Sequence, residues 1–301
     1  MELLKQLISI HSPSGSEAAI KEFILDYVVK NQDQWACKPT IIKDGIQDNL
    51  MLVFGKPNTA VYAHTDSIGF MVGYDNELSK IGGPDTTANW LLTGQDEKGK
   101  VEGTLQVDEE TLKLQCKRKV ARGTTLTFAP DFNETKSYIQ SPYMDNRLGV
   151  YVALKLCETL KNGALVFSTF EETKGGAAQF LAGKLYHEYE ITQALIADIT
   201  WVTQGVKHGK GVAVSLKDST VPRRVFTDRI CTLARESKVS FQLEVEHAGG
   251  SDGTAIQSSP YPIDWCFIGA PESHVHSPLE KVHKHDIDAM LELYQYLMDR
   301  L

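Results

Sequence analysis

Short apolar runs alternate with segments of helical periodicity along most of the chain. Apolar residues recur at three- and four-residue spacing in "NRLGVYVALKLCETLKN", in "GGAAQFLAGKLY" and in a final helix from about Asp286. Continuous apolar runs, typical of buried strands, occur in "NLMLVFG", "TAVYAH", "ALVFSTF", "QALIAD" and "DWCFIG". This alternation predicts an α/β fold with a mainly parallel, doubly wound sheet that helices cover on both faces.

The pattern changes between about Gly69 and Pro130. This part consists of short alternating segments, such as "KVEGTLQV" and "TLKLQC", separated by Gly, Pro, Asn and Asp. Such a pattern is typical of short strands joined by turns. We therefore predict a small β-rich inserted domain over residues 70–130 and a larger catalytic domain formed by residues 1–69 and 131–301.

Composition and charge limit the classes of partner. The 301 residues are 42% hydrophobic and carry a formal net charge of -8 at pH 7, which disfavours nucleic acid and anionic membrane surfaces. No run approaches about eighteen apolar residues, so we expect no membrane-spanning segment. The first residues lack the apolar core of a secretory signal. Five widely spaced cysteines without a C-x-x-C pair indicate reduced thiols, and we expect a cytoplasmic protein.

Polar residues that could carry chemistry stand at the ends of the apolar runs. In a doubly wound sheet, ligands bind at the carboxyl edge, where such residues meet. The candidates are His64, Asp66, Asp145, Glu171, Glu172, Asp198 and His276. Imidazoles and carboxylates without cysteine suit a divalent cation, most often zinc, although cobalt and manganese also accept these ligands. Three ligand carboxylates and two imidazoles exceed one tetrahedral shell, so we predict two metal ions that share a bridging carboxylate.

Two carboxylates, Glu171 and Glu172, directly follow an apolar strand in "STFEET". Because an unpaired charge is costly to bury, the pair indicates a cationic partner. Successive side chains leave a strand in opposite directions, so one glutamate would bind metal while the other transfers protons at the metal-bound water. The same period of two places Asp66 beside His64, where it would hold the imidazole in its ligating tautomer.

Six segments carry a resemblance to a known family: "AHTDSIGFMV", "MDNRLG", "FEETKGGAA", "IADIT", "GGSDGTAI" and "IGAPESHVHSPLE". In this order they resemble the TET-type aminopeptidases, the glutamyl aminopeptidase family of dizinc metallopeptidases. The resemblance implies a metalloaminopeptidase that forms homo-oligomers, with a PDZ-like or barrel-like insertion that helps them assemble. It assigns one metal ion to His64, Asp145 and Asp198, the other to Asp145, Glu172 and His276, and the general acid and base to Glu171.

Our hypothesis is a dizinc exopeptidase in which a metal-bound hydroxide attacks the first peptide carbonyl and Glu171 relays the proton to the departing amine. Two alternatives remain open: a dizinc carboxypeptidase or deacylase, and an inactive scaffold that binds peptide or protein. Ser67, Ser273 and His274 depart from the family pattern, which leaves activity and assembly, a dimer or a larger cage, open. The preferred N-terminal residue, whether acidic, basic or aliphatic, is equally open.

Other polar residues have structural as well as functional explanations. His247 and His274 could line the substrate cleft, and Asp252 could support His276, bind a substrate amine or form a tight turn. The two arginines of "VPRRVF" could contact a substrate carboxylate, contact a neighbouring subunit or lie on the solvated surface. The sequence contains no P-loop or G-x-G-x-x-G motif, which disfavours nucleotide-binding proteins.

Overall fold

Seven α-helices and seventeen β-strands form the regular structure of residues 1–109 and 111–301, which the computed structural model describes. The helices are α1 (Glu2–Ile8), α2 (Ala18–Asn31), α3 (Met144–Leu156), α4 (Ala178–Tyr189), α5 (Arg224–Ser237), α6 (Asp252–Gln257) and α7 (Lys284–Met298). The first nine strands are β1 (Thr40–Ile42), β2 (Leu50–Phe54), β3 (Thr59–His64), β4 (Gly69–Val72), β5 (Leu78–Ile81), β6 (Leu91–Asp96), β7 (Gly99–Asp108), β8 (Thr111–Gln115) and β9 (Thr125–Phe128). The others are β10 (Asn133–Glu134), β11 (Tyr138–Gln140), β12 (Gly163–Ser168), β13 (Gln193–Trp201), β14 (Val212–Ser215), β15 (Phe241–Glu244), β16 (Asp264–Ser273) and β17 (Lys281–His283).

The larger sheet has a parallel centre and mostly antiparallel flanks. Its main path runs β1-β2-β12-β3-β13-β16-β17-β11-β10, and β14 joins β16 to β15. The central strands β12, β3, β13 and β16 are parallel, whereas β1, β2, β17, β11 and β10 pair antiparallel with their neighbours. The predicted α/β architecture is confirmed. The sheet as a whole is mixed, with parallel pairing at its centre and antiparallel pairing over most of its flanks.

Both faces of the central strands are buried, because each strand alternates its apolar residues between two helical layers. Val61 and Ala63 of β3 belong to the core shared with α1, α2, α3, α5 and α7, whereas Ala60 and Tyr62 belong to the core shared with α4 and α6. All six residues of β3 are buried, as expected for a strand covered on both sides. Within residues 1–109 and 111–301, no helix is both long and apolar enough to cross a membrane.

The second sheet lies within the predicted insertion and has its own core. Its strands follow the order β5-β4-β9-β6-β7-β8, all in antiparallel pairs. A bridge between Glu77 and Lys113 brings the two edge strands together, so the sheet is barrel-like. Phe70, Leu126 and Phe128 are fully buried inside it. The division of the chain into domains stays a prediction.

Two local expectations were wrong. The run "SPSGSEAAIKEFILDYVV" predicts a second helix that Ser14 or Ser16 caps. Instead, α2 begins after Glu17, and the Ser14 hydroxyl donates to Asp66 at 2.5 Å. We also expected the run "QALIAD" to end at Asp198, but β13 continues to Trp201 because its partner β16 extends in register with it. Pairing between strands distant in sequence therefore sets this boundary.

A buried arginine ties the N-terminal segment to the end of β3. Arg147, in the first turns of α3, is fully buried and donates to the main-chain oxygens of Leu7 (3.2 Å) and Thr65 (2.6 Å) and to the hydroxyl of Ser12. These bonds satisfy the guanidinium while it is removed from water. They also hold the chain directly after His64, where the functional site begins.

The carboxyl group of Glu17, directly before α2, provides a test of how the N-terminal segment is buried. Its side chain is 1% exposed, and Oε1 accepts the N–H of Gly15 at 2.9 Å. Burial, reinforced by the charge of Asp66, raises the pKa of Glu17 to about 7. The unfolded chain ionises near the ordinary value, so the folded state is progressively disfavoured as the pH rises toward the folded pKa.

Glu17→Gln should therefore stabilise the fold at pH 8 more than at pH 5, by about 2 kcal/mol in the free energy of unfolding. Urea denaturation at both pH values, under matched metal conditions, measures the difference. Glu22→Gln, an exposed position on the same helix, is the control and should show no such pH dependence. A gain from Glu17→Gln that is equal at the two pH values would contradict the raised pKa.

Candidate metal centre

The central strands bring the predicted ligands to one edge of the sheet. His64 is the last residue of β3 and pairs in register with Ser168, the last residue of β12. Asp198 lies in the neighbouring strand β13, and His276 follows β16. Because these four strands are parallel, their carboxyl ends meet at the same edge.

Five side chains form two groups that share Asp145. In the first group, His64 Nε2 lies 3.1 Å from Asp145 Oδ1 and 3.5 Å from Asp198 Oδ2. In the second, His276 Nε2 lies 3.3 Å from Asp145 Oδ2 and 3.2 Å from Glu172 Oε2. Within each group the candidate ligand atoms all lie within 4.8 Å of one another. The two oxygens of Asp145 therefore face different imidazoles, as a bridging carboxylate requires.

Main-chain acceptors orient both imidazoles. His276 Nδ1 lies 3.1 Å from the carbonyl oxygen of Gly83, and His64 Nδ1 lies 3.2 Å from that of Asp66. A carbonyl oxygen can only accept, so each Nδ1 donates its proton and each Nε2 faces the carboxylates. This is the tautomer that a metal-binding imidazole needs. Gly83 follows β5, so the barrel-like sheet helps to position a candidate ligand of the larger sheet.

The cluster holds more negative charge than its surroundings balance. Among residues 1–109 and 111–301, only His64 and His276 form ion pairs with Asp145, Glu171, Glu172 or Asp198. Burial raises the pKa of Glu172 to about 7, with a further contribution from the charge of Asp145, and burial raises the pKa of Glu171 well above its usual value. Positive charge placed among these carboxylates would stabilise their ionised form. The carboxylate oxygens and the two imidazole nitrogens of the cluster suit zinc, cobalt or manganese as ligands.

Protons compete with metal for the imidazoles. Burial lowers the pKa of His276, but its hydrogen bonds with Asp145 and Glu172 outweigh burial and raise the pKa to about 12. The carboxylates raise the pKa of His64 well above its usual value in the same way. A protonated imidazole cannot ligate, so a bound cation must displace these protons.

Asp66 contacts the glutamate turn as well as His64. Its carboxylate accepts the N–H groups of Glu171 and Glu172, each at 3.1 Å, and the hydroxyl of Ser14. Its Oδ1 lies 3.5 Å from His64 Nδ1, farther than the main-chain oxygen of the same residue. Burial opposes ionisation, but these contacts lower the pKa of Asp66 below its usual value. The carboxylate therefore fixes the segment that carries both glutamates.

The geometry of the glutamate pair differs from the strand model predicted from the sequence. β12 ends at Ser168, and Glu171 and Glu172 lie in a 3₁₀ turn, Glu171–Thr173. Their divergence therefore comes from the turn and from the main-chain bonds to Asp66. The functional consequence is the same: Glu172 Oε2 faces His276, and Glu171 Oε2 lies 3.9 Å from His64 Nε2, beside the first group.

Sequence analysis missed Glu280, which lies behind both groups. Its Oε2 accepts the main-chain N–H of Asp145 at 3.2 Å, and its Oε1 accepts that of His276 at 3.0 Å. Glu280 is fully buried, as is Glu272, and burial raises the pKa of both well above the usual value. Glu272 and Glu280 lie four residues before and four residues after His276, and this spacing is the sequence feature that could have identified them.

A cavity of about 450 Å³ opens beside the cluster and is lined partly by Asp145, Glu171, Asp198 and His276. Neither His247 nor His274 is among the described residues that line it. The residues that depart from the family pattern also lie elsewhere: Ser67 N–H donates to the main chain of the N-terminal segment, and Ser273 Oγ contacts His208.

The other candidates have structural partners. Asp252 is the first residue of α6, and its carboxylate accepts a hydrogen bond from the hydroxyl of Ser168 at the end of β12. Arg223 pairs with Asp264 at 2.8 Å, and Arg224 pairs with Asp228 on its own helix. Such exposed pairs contribute little to stability.

Clustered carboxylates and imidazoles at the carboxyl edge of an α/β sheet, open to a cavity, are typical of metal-dependent hydrolases. Comparison with known proteins agrees with this class. A family model described as M42 glutamyl aminopeptidase matches residues 95–293. The putative aminopeptidase of Acetivibrio thermocellus is 26% identical over 334 residues, which cover 97% of this chain and 96% of that protein.

Two solved structures are also similar. The aminopeptidase APDkam598 of Desulfurococcus kamchatkensis has a TM-score of 0.87 at 20% identity, with coverage of 100% of this chain and 94% of that chain. The TET1 peptidase of Pyrococcus horikoshii, which can assemble into a tetrahedron or a large octahedral shell, has a TM-score of 0.85 at 22% identity. That comparison covers 100% of this chain and 99% of the other. These two likenesses show a shared fold.

The chain belongs to the M42 glutamyl aminopeptidase family, because the family model matches well over half of it. The predicted family and the predicted enzyme class, a metalloaminopeptidase, are thereby confirmed. Membership also implies that the enzyme uses divalent metal.

The bonds of Asp66 lead to a prediction about stability. Asp66→Asn replaces one acceptor oxygen by an amide that faces an N–H group, so we expect the free energy of unfolding to fall by about 2–4 kcal/mol. Ser14→Ala should cost about 1 kcal/mol, because it removes one of the donors. Urea denaturation of chelator-treated protein measures both, and Asp48→Asn, a surface change, is the control. A loss below about 1 kcal/mol in Asp66→Asn would contradict the conclusion that the Asp66 carboxylate fixes the segment that carries both glutamates.

Proposed function

We propose that this protein uses two divalent cations, most suitably zinc, to remove the N-terminal residue from peptides. His64, Asp145 and Asp198 would hold one cation, and Asp145, Glu172 and His276 would hold the other. The observation that carries this proposal is the position of Asp145, whose two oxygens face two separate imidazoles across 3.1 and 3.3 Å. The family match supports an aminopeptidase over a carboxypeptidase, a deacylase or an inactive scaffold.

Bound cations would polarise the scissile carbonyl and lower the pKa of the attacking water. The side chains of this protein then have three tasks around the reacting atoms. Asp145 and the two imidazoles would hold the cations. The cavity admits the N-terminal end of a peptide, and Glu171 transfers the proton from water to the departing nitrogen.

Glu171 is the general base and then the general acid in this proposal. Its carboxylate is beside His64 and has no cationic side chain near it except that imidazole, at 3.9 Å, among the described residues. Burial and the charges of Glu172 and Asp198 raise its pKa well above the usual value. A carboxylate with a raised pKa can take a proton from water as the new C–O bond forms and deliver it to the departing nitrogen as the C–N bond breaks.

We also propose that the protein forms a homo-oligomer. The related TET1 peptidase assembles into closed shells, and its chain matches this one along nearly its whole length. Size-exclusion chromatography with light scattering would distinguish a dimer from a larger shell.

Glu171→Gln should lose at least about 10²-fold in kcat on aminoacyl-anilides, because the amide cannot accept the proton. The same variant should still bind two metal equivalents, measured by elemental analysis after dialysis. Lys174→Gln, a change at an exposed cavity residue, is the matched control and should keep the activity within a few-fold. Removing metal with a chelator should abolish turnover, and zinc or cobalt should restore it. Full activity in Glu171→Gln would contradict the proposed role.

Glu280 should control metal affinity, because it accepts the N–H groups of two proposed ligands. Glu280→Gln turns one acceptor into a donor that faces an N–H group, so we expect metal affinity to fall about 10–100-fold. Competition with a chromophoric chelator measures the affinity directly, and Glu292→Gln, exposed on α7, is the control. A chelator-treated sample followed by circular dichroism establishes whether the variant folds. Unchanged affinity in a folded variant would contradict this positioning role.

A further inference from the structure

Three carboxylates that the proposed chemistry does not use also line the cavity beside the metal centre. We call this group the acidic arm: Asp218, Glu244 and Glu246. Glu244 is 3% exposed and Asp218 is 7% exposed, so the protein encloses two of the three. Carboxylates are rarely buried without a partner, because the loss of hydration is costly.

The acidic arm is held at a defined distance from the metal centre. Thr200 follows Asp198 by two residues in β13, so both side chains leave the same face of the sheet, about 7 Å apart along the strand. The hydroxyl of Thr200 donates to Glu244. Asp218 is fixed from the other side, by the hydroxyl of Ser251 at 3.0 Å. The arm therefore begins one side-chain position beyond a proposed metal ligand.

These carboxylates are compensated by hydrogen bonds and not by cationic side chains. Besides Ser251, the N–H and the hydroxyl of Thr220 donate to Asp218 Oδ1, at 2.6 and 3.0 Å. In the described parts of the chain, no salt bridge involves Asp218, Glu244 or Glu246. The ammonium group of Lys217 donates to the main-chain oxygens of Asp218 (2.6 Å) and Glu246 (3.0 Å), and it forms no salt bridge with their carboxylates. Burial raises the pKa of Glu244, and the charges of Glu246 and Asp218 raise it further. A cation that entered the cavity would relieve this repulsion.

We infer that the acidic arm binds the cationic side chain of the substrate's first residue, so that the enzyme prefers peptides that begin with Lys or Arg. This inference rests on the proposed aminopeptidase function. With the N-terminal residue at the metal centre, the four-carbon stem of Lys spans the step from Asp198 to Glu244. Acidic first residues are disfavoured, because they would meet three carboxylates. Lys174, which is exposed, is the only Lys or Arg among the described residues that line the cavity.

Lysyl and norleucyl anilides separate charge from size, because norleucine has the same four-carbon chain without the ammonium group. With the metal-loaded enzyme, we expect kcat/KM for the lysyl and arginyl substrates to exceed that for the norleucyl substrate about tenfold or more. The glutamyl substrate should be the poorest of the series. Equal or faster cleavage of the norleucyl or glutamyl substrate would overturn the inference while leaving the aminopeptidase proposal intact. Cleavage of none of them would refute the aminopeptidase proposal, and this inference with it.

Variants of the acidic arm test whether it carries the preference. Glu244→Gln and Asp218→Asn should each lower kcat/KM for the lysyl substrate about tenfold and change the norleucyl value less than about threefold. Glu246 is more exposed, so Glu246→Gln tests the arm even if a buried variant does not fold. Glu236→Gln, exposed on α5, is the matched control and should change neither value. If the three arm variants keep the wild-type ratio of lysyl to norleucyl cleavage, the assignment is wrong.

Discussion

The structure depends on one electrostatic constraint: several carboxylates are buried together around Asp145, and among residues 1–109 and 111–301 two imidazoles are the only side chains that form ion pairs with them. Removing ionised carboxylates from water costs several kcal/mol each unless opposite charge compensates. Main-chain N–H groups compensate two of the buried carboxylates in part. Those of Asp145 and His276 donate to Glu280, and those of Glu171 and Glu172 donate to Asp66. The remaining imbalance of charge is the physical reason for proposing that the cluster binds cations.

The fold meets this constraint by directing strands from distant parts of the chain to one edge. His64, Ser168 and Asp198 lie on neighbouring parallel strands, and the turn after β12 adds the glutamates. The barrel-like sheet contributes a carbonyl oxygen to His276 through Gly83. Its role therefore includes the geometry of the centre, because an imidazole without that acceptor would lose its fixed orientation.

If both proposals hold, the same arrangement would connect catalysis with the selection of substrate. β13 carries Asp198 at the metal centre and, two residues later, Thr200, which holds Glu244 in the cavity wall. Because strand geometry sets that spacing, the reacting centre and the acidic arm are fixed relative to each other. A substrate residue that fills the intervening space would contact both, so selection among first residues and positioning of the scissile bond would be coupled.

Much of the larger architecture and most of the chemistry-bearing residues could be predicted from the sequence. Apolar runs and helical spacing predicted the α/β sheet, because burial on two faces requires those patterns, and six collinear segments indicated the family. His64, Asp145, Glu172, Asp198 and His276 could be selected as candidate metal ligands from their residue types and from their positions beside apolar runs, and the structure brings them together. By contrast, Ser14, Glu280 and Glu244 have partners 52, 135 and 44 residues away. Only tertiary structure decided those contacts, because no local pattern specifies which distant N–H or hydroxyl group a buried carboxylate will meet.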